Sequence, residues 1–270
     1  MAMRVRRGVT TAAEVHRVGE SAGRVHDVVP TEEPLEIRVN GELVGSTMRT
    51  PGNDFELVAG WALSEGHLVD DRVGQIRYCA GKGPEGNSYN LLDLVTVSGR
   101  RPAPTRLAGS TASCGICGSV AIDELRLRLE PLGPMPAVPF RVIAAAAAGL
   151  GAHQAVFART GSVHAAATFS LDDGAIVEVR EDVGRHNAVD KVVGRMLLDD
   201  RLPGSGLGLF LSGRVSVELV QKAWTAGFGL VAAVGGPTSL AIEAAQAAGV
   251  TLVGFVRPER ANVYTGSLAP

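Results

Sequence analysis

Short apolar runs and amphipathic stretches alternate through the C-terminal part of this chain, and this alternation constrains its fold more than any other feature. Apolar runs cover residues 206–211, 228–234 and 250–256, and helical patterns cover residues 215–226 and 238–248 between them. A β-α-β-α-β order favours parallel strands with right-handed crossovers and helices packed on the sheet. We therefore predict an α/β fold with a partly parallel sheet in this region.

Upstream of this region, the patterns predict a smaller α+β unit. Apolar residues on both sides of Asn40-Gly41 indicate a hairpin, because this pair tolerates the positive φ angles of a two-residue type I′ turn. Thr50-Pro51 is typical of a helix start, and Gly66 is typical of a helix end. Further strands are expected around residues 76–79 and 91–97, and a second hairpin is expected over residues 166–179.

These patterns divide the chain into three parts. Residues 1–30 lack sustained periodicity and are expected to form a flexible N-terminal arm. Residues 31–138 are predicted to form an N-terminal α+β domain that carries a Cys-x-x-Cys loop. Residues 139–270 are predicted to form a second domain, with the boundary near the Pro-rich segment 131–139.

The charge balance and the length of the apolar runs exclude several classes of protein. Lys and Arg total 26 and Asp and Glu total 28, so no global field attracts nucleic acid or an anionic membrane. The longest apolar stretches fall far short of the roughly 20 residues that a membrane-spanning helix needs. The N-terminal arginines are not followed by the apolar run of an export signal, and a cytoplasmic protein is expected. Any anionic ligand must be held by a local site.

Each predicted parallel strand ends in a turn suited to binding an anion. The first strand is followed by Ser212-Gly213-Arg214, the second by Gly235-Gly236-Pro237-Thr238-Ser239 and the third by Phe255-Val256-Arg257-Pro258-Glu259-Arg260. Ligands of open parallel sheets bind outside the carboxyl ends of the strands, where glycines expose backbone N–H groups and arginines grip phosphate oxygens. Together the turns predict a site for a nucleotide-like diphosphate. The alternative is ordinary turn and cap chemistry, which also favours Gly and Ser.

A dense polar run from Glu181 to Lys191 leads into another predicted helix. It places Arg185-His186-Asn187 at the helix start, where outward-pointing N–H groups favour recognition of an anion or a base edge. The alternative is a solvated helix face. A further residue, His164, lacks the Glu that a zinc-dependent nucleobase deaminase carries two positions later, since Ala166 stands there; a hydrogen-bonded core histidine is its ordinary interpretation.

Two of the three cysteines, Cys114 and Cys117, form a Cys-x-x-Cys pair in a basic, Gly-rich segment before a predicted helix. Four interpretations are open. A structural zinc site would need two further ligands that have no matching motif, and a thioredoxin-like dithiol normally follows a strand. A sulfur carrier fits a thiolate that Arg101, Arg106 and a helix N-terminus favour, because such a thiolate can accept sulfane sulfur as a persulfide. Two ordinary buried thiols are the fourth interpretation.

Several short motifs occur in a characteristic order along the chain. The most specific are the runs 181–191 and 113–118; the others are residues 39–41, 48–52, 63–66, 161–166, 212–214, 237–239 and 253–257. In this order, they make the chain similar to the FdhD family, the formate dehydrogenase accessory sulfurtransferases, from about residue 30 to residue 265.

The resemblance implies a sulfur carrier for formate dehydrogenase. A carrier of this family takes persulfide sulfur from a cysteine desulfurase and passes it to the bis(molybdopterin guanine dinucleotide) molybdenum cofactor before the cofactor enters the enzyme. By position in the motif, the persulfide cysteine falls on Cys114, with Cys117 beside it. For residues 139–270 the resemblance implies a cytidine-deaminase-like fold without the catalytic metal.

The resemblance also implies where the cofactor binds. The cofactor-contacting segment of the family falls here on Phe255, Val256, Arg257, Pro258, Glu259 and Arg260. Further candidates for this role are Ser212, Gly213, Arg214, Arg185, His186 and Asn187. No structural metal is expected, and a homodimer is expected because a symmetric carrier suits a two-armed cofactor. A cofactor escort without sulfur transfer and a dithiol oxidoreductase are the alternative functions.

Overall fold

The computed structural model describes residues 8–20, 22–79, 89–102 and 129–270. The Cys-x-x-Cys pair, Cys114 and Cys117, lies outside the described residues, as does most of the helix predicted after it. Within the described ranges the chain forms a mixed α/β fold with three sheets, so the predicted fold class is confirmed at this level.

The N-terminal segment forms a two-stranded ribbon. Strands β1 (Thr10–Arg17) and β2 (Gly23–Pro30) pair antiparallel, so the segment predicted as a flexible N-terminal arm contains regular secondary structure from Thr10 to Pro30. A hydrogen bond from the Thr31 backbone N–H to the Val9 carbonyl oxygen, at 3.0 Å, extends this pairing beyond the two strands. Both faces of the ribbon keep many exposed side chains, and for this reason no apolar alternation marks its strands in the sequence.

The next four strands form a sheet in the order β4-β3-β6-β5. Its strands are β3 (Glu33–Val39), β4 (Glu42–Arg49), β5 (Val73–Tyr78) and β6 (Leu91–Thr96). Asn40 and Gly41 join β3 to β4 with φ angles of 50° and 83°, which confirms the predicted hairpin turn.

Helix α1 (Asp54–Ser64) covers this sheet and buries Leu57, Val58 and Ala62 against it. The helix begins three residues after the predicted Thr50-Pro51 start. Gly52 and Asn53 have positive φ angles, which interrupt the helical path there. In addition, the Thr50 backbone N–H donates to the buried Asp182 side chain at 3.1 Å instead of facing solvent at a helix start.

A six-stranded sheet is formed by strands between His164 and Thr265, in the order β12-β11-β10-β9-β7-β8. Strands β9 (Leu207–Leu211), β10 (Leu230–Ala233) and β11 (Thr251–Arg257) are parallel, as predicted. Strands β7 (His164–Ser170), β8 (Ile176–Asp182) and β12 (Arg260–Thr265) run antiparallel to their neighbours. The predicted hairpin over residues 166–179 corresponds to β7 and β8.

Helices cover both faces of this sheet. Helix α2 (Phe140–Leu150) lies on one side and packs against the sheet through Val142, Ile143 and Ala146, and the short helix α3 (Ala155–Thr160) follows it and contacts β2. Helices α4 (Arg185–Leu198), α5 (Val217–Thr225) and α6 (Ser239–Ala248) lie on the other side and close the largest apolar core. Among the described residues, none of the helices has the length and hydropathy needed to cross a membrane.

Two glycines let α1 pack closely on α4 and so join the two larger sheets. A Cβ atom on Gly60 would lie 2.0 Å from the Asp190 carbonyl oxygen, and one on Gly194 would lie 1.8 Å from the Glu56 carbonyl oxygen. Both distances are far below any real carbon–oxygen contact. The crossing of the two helices therefore requires glycine at both positions.

Candidate functional site

The turns after the three parallel strands form one continuous surface. The Gly235 N–H donates to the Gly213 carbonyl oxygen at 3.1 Å, and the Phe255 N–H donates to the Gly235 carbonyl oxygen at 3.1 Å. The turns predicted to share an edge are thus hydrogen-bonded to one another. This carboxyl edge also includes the start of β7 and the start of α4, because β7 and β8 run antiparallel to the central strands.

Phe255 has a strained backbone conformation at this edge. Its φ angle is 52°, in the left-handed region that aromatic residues rarely adopt, and the β11–β12 pairing is irregular between Gly254 and Arg257. The ring lies over Gly236, where an added Cβ atom would be 2.5 Å from the ring, yet 46% of the residue is exposed. Strain of this kind costs about 1 to 3 kcal/mol and is typical of functional sites. The arrangement presents an aromatic face beside a glycine turn.

The remainder of the predicted C-terminal segment is divided between the interior and the surface. Val256 is buried in the core below α2. The Arg257 guanidinium donates to the carbonyl oxygens of Val234 and Val256 at 2.9 and 2.8 Å, which holds it at the edge. Pro258 and Glu259 form the exposed turn between β11 and β12, and Arg260 opposes Arg257 in the ladder.

The three predicted site residues at the start of α4 have different surroundings. Asn187 is 5% exposed, and its amide is occupied: it donates to the Met48 carbonyl oxygen at 2.7 Å and accepts from the Thr47 hydroxyl at 3.0 Å. Arg185 and His186 remain partly exposed. The structure therefore brings Arg185 and His186 to the edge, whereas Asn187 is directed towards the first sheet.

Most of the polar run 181–191 connects the two larger sheets. The fully buried Asp182 accepts from the backbone N–H groups of Thr50 and Gly184, at 3.1 and 2.8 Å. It also pairs with the Lys191 ammonium at 2.7 Å, and the same ammonium donates to the Thr50 carbonyl oxygen at 2.9 Å. Sequence reasoning missed this role; the only available signal was the density of polar residues from the end of β8 into the first turns of α4.

A second buried ion pair uses Asp190, the residue of α4 next to Lys191. The Lys222 ammonium of α5 donates to Asp190 at 2.8 Å. Burial raises the pKa of Asp190 to about 6 in spite of this partner. The pair contacts Ser64 of α1 as well, so it connects three helices behind the carboxyl edge.

A cleft of about 630 Å³ opens at this edge between α2, α3 and the sheet. Its walls include Leu150, Phe157, Val183 and Val234, and its polar groups include His164 and Ser212. The Ser212 hydroxyl accepts from the Ala165 N–H at 2.8 Å. The size and the mixed lining suit a small organic ligand.

Burial lowers the pKa of His164, and electrostatic interactions with Arg185, His186 and Arg214 lower it further. His164 is therefore neutral at pH 7. The same interactions show that these residues lie within electrostatic reach of one another. The carboxyl edge is thus a cationic surface that can bind an anion.

Ser216 and Glu218, which the sequence patterns did not single out, also belong to this surface. His186 Nε2 lies 3.2 Å from the Ser216 hydroxyl and 3.8 Å from a carboxylate oxygen of Glu218. Their signal in the sequence is a serine followed by an acidic residue at the start of α5, which reads as ordinary helix capping. Over the described ranges, no cluster of His, Cys, Asp and Glu side chains could hold a metal ion.

Comparison with known proteins gives consistent relatives over nearly the whole chain. The Sulfur carrier protein FdhD of Nocardia farcinica is 46% identical over 267 residues, covering 96% of this chain and 91% of the relative. The Sulfur carrier protein FdhD of Streptomyces coelicolor is 47% identical over 270 residues, covering 96% and 95%.

The fold has a solved counterpart. The crystal structure of a protein described as a formate dehydrogenase accessory protein, from Desulfotalea psychrophila, matches with a TM-score of 0.71 and 25% identity, covering 96% of this chain and 97% of that one. The model of the FdhD/NarQ family matches residues 30–269. This chain therefore belongs to the FdhD/NarQ family.

Proposed function

We propose that this protein is a sulfur carrier that serves formate dehydrogenase. Two relatives with the Sulfur carrier protein name match about 96% of the chain, and their match is the observation that carries the proposal. In the proposed cycle, the protein accepts persulfide sulfur from a cysteine desulfurase. It then transfers the sulfur to the bis(molybdopterin guanine dinucleotide) molybdenum cofactor, which is its substrate.

The cofactor would bind at the carboxyl edge of the six-stranded sheet. Its phosphate groups would contact Arg185, Arg214, Arg257 and Arg260, because guanidinium groups bind phosphate oxygens in a bidentate manner. Phe255 would pack on a ring of the ligand, since its face is exposed beside the glycine turn. The residues present at this edge thus supply both charge and a stacking surface.

The chemistry assigns different roles to the two cysteines. The Cys114 thiolate attacks the terminal sulfur of the desulfurase persulfide; a new S–S bond forms, and the desulfurase cysteine leaves as a thiolate. Cys117 then attacks the Cys114 sulfur, which forms a disulfide and releases the terminal sulfur as HS⁻. At the cofactor, HS⁻ and one proton replace an oxo ligand, which leaves as water. A cellular dithiol reductant supplies the two electrons that restore both thiols.

A strain that lacks its own carrier provides the test. Cys114→Ala should fail to restore formate dehydrogenase activity, whereas Cys79→Ala, which removes the cysteine outside the motif, should restore it. After incubation with a desulfurase and cysteine, mass spectrometry should locate a reductant-labile added sulfur on Cys114. Full restoration by the Cys114→Ala/Cys117→Ala variant would refute sulfur transfer and favour a cofactor escort. A redox-active pair that is indifferent to the cofactor would favour a dithiol oxidoreductase.

The same proposal includes a homodimer and a cytidine-deaminase-like fold for residues 139–270. A two-fold dimer would present two carboxyl edges, one for each nucleotide arm of the cofactor. Sedimentation of the protein with and without cofactor tests this stoichiometry. A monomer that binds the complete cofactor would refute the dimer.

A further inference from the structure

His186, Ser216 and Glu218 form a polar cluster where the start of α4 meets the start of α5. The Ser216 hydroxyl and the Glu218 carboxylate both approach Nε2 of His186, at 3.2 and 3.8 Å. Neither of these contacts uses Nδ1. Within the part of the chain that the structure describes, the imidazole is therefore held from one side, and Nδ1 can meet another partner.

Glu218 is ionised at every pH at which the protein would function. The neighbouring His186 lowers the pKa of Glu218 to about 2; Ser216 and the Glu218 backbone add to this effect, and burial opposes it. Glu218 also lies in the first turn of α5, where the helix dipole favours an anion. A fixed carboxylate beside Nε2 orients the ring with Nε2–H towards it.

Ser216 supports this arrangement. It occupies the N-cap position of α5 with an extended backbone, but its side chain makes no cap hydrogen bond. The hydroxyl contacts His186 instead. Because its hydroxyl contacts a histidine and does not cap the helix, Ser216 contributes to the carboxyl edge and not to the helix end.

The charges around His186 come from several elements. Glu218 belongs to α5, Asp190 lies one turn further along α4, and both interact with His186. His164 of β7 lies within electrostatic reach of His186 and also feels Arg185, Arg214 and Asp182. His164 thus faces mainly cations, whereas His186 faces a carboxylate directly. Of the two histidines, His186 has the surroundings that accept a proton when an anion arrives.

We propose that His186 takes up a proton when this edge binds a diphosphate group, and that Glu218 is the positioning residue that holds the resulting imidazolium with Nδ1–H available to the phosphate. The proton comes from solvent. The inference rests on the nucleotide-binding surface of the proposed function and adds to it a specific proton-coupled contact. It also assigns roles to Ser216 and Glu218 that the family resemblance did not supply.

Calorimetric titration of the full chain with GDP tests the proposal. Measured at pH 7.5 in buffers with different ionisation enthalpies, the apparent binding enthalpy gives the number of protons taken up. The wild type should take up a fraction of a proton, and His186→Gln should take up none. Glu218→Gln should reduce the uptake and weaken GDP binding by about fivefold, because the amide cannot stabilise the imidazolium charge.

Two control variants separate this role from general changes in charge. Glu243→Gln removes one negative charge from the exposed side of the neighbouring helix α6 and should leave affinity and proton uptake unchanged. His164→Asn should keep the proton uptake. GDP binding without proton uptake, uptake that is lost with His164 instead of His186, or equal behaviour of Glu218→Gln and Glu243→Gln would overturn the inference while leaving the nucleotide surface intact. Absence of GDP binding to the wild type would refute the nucleotide surface and the inference together.

Discussion

The crossing of α1 and α4 should be intolerant of a single added methyl group. In Gly194→Ala, the new Cβ atom would lie 1.8 Å from the Glu56 carbonyl oxygen, and an ordinary contact begins at 3.4 Å. The two helices must therefore separate by about 1.6 Å, the difference between these distances. Because the obstacle is backbone and not a flexible side chain, the helices cannot relieve the clash by changing a rotamer.

The expected loss of stability follows from two opposing effects. Overpacking against a rigid neighbour costs up to about 3 kcal/mol, and replacing Gly by Ala inside a helix returns about 1 kcal/mol. We expect Gly194→Ala to lower the free energy of unfolding by about 2 kcal/mol. For a chain of this size, this loss corresponds to a fall of about 4 to 8 °C in Tm.

Urea denaturation of the variant and of a matched control measures this loss. Gly149→Ala makes the same substitution within α2, where the new Cβ atom meets only the Ile176 side chain, at 3.3 Å. The control should remain within about 1 kcal/mol of the wild type, because a side chain can move by a few tenths of an ångström. If Gly194→Ala proves as stable as Gly149→Ala, the close crossing of α1 and α4 is wrong.

Three further predictions concern the buried Asp182–Lys191 pair and the residues Glu218 and Phe255 of the carboxyl edge. Asp182→Asn should lower the free energy of unfolding in urea by about 3 to 5 kcal/mol, because it leaves the buried Lys191 ammonium without its carboxylate; Asp173→Asn, in the turn after β7, should have little effect. Since the pKa of Glu218 is lowered to about 2 from 4.5, its stabilising effect is complete above about pH 4.5 and is lost as the pH falls towards 2. The stability difference between the wild type and Glu218→Gln should shrink over that range, and a constant difference would contradict the His186 contact. Phe255→Gly should relieve the positive φ angle and keep stability within about 1 kcal/mol, but weaken GDP binding; unchanged affinity would remove Phe255 from the ligand surface.

Local sequence signals were reliable wherever one segment carries its own pattern. Asn40-Gly41 forms the predicted turn because both residues adopt positive φ at low cost. The three parallel strands follow from apolar runs of strand length, and the crossover helices between them leave the turns after Gly213, Gly235 and Phe255 on one edge. The position of the candidate ligand surface was therefore predictable from the order of the elements.

Local signals were insufficient where a residue's environment comes from a distant part of the chain. Asn187 resembles a ligand contact in the sequence, but residues 47 and 48 approach it and occupy its amide. The β1–β2 ribbon escaped detection because its strands lack an apolar face. The start of α1 was displaced because Asp182, far along the chain, takes the Thr50 N–H.

The sequence by itself determined the order of the parallel strands and their crossover helices, the turns that meet at the carboxyl edge and the motifs shared with the FdhD/NarQ family. These features depend on local backbone preferences and on short apolar patterns. Only the tertiary structure decided that Asp182 and Lys191 join the two larger sheets, and that His186 meets Ser216 and Glu218 at the edge. The reason is physical, because burial and charge pairing depend on which remote segments pack together. From the sequence alone, a polar run is compatible both with a ligand site and with a buried structural network.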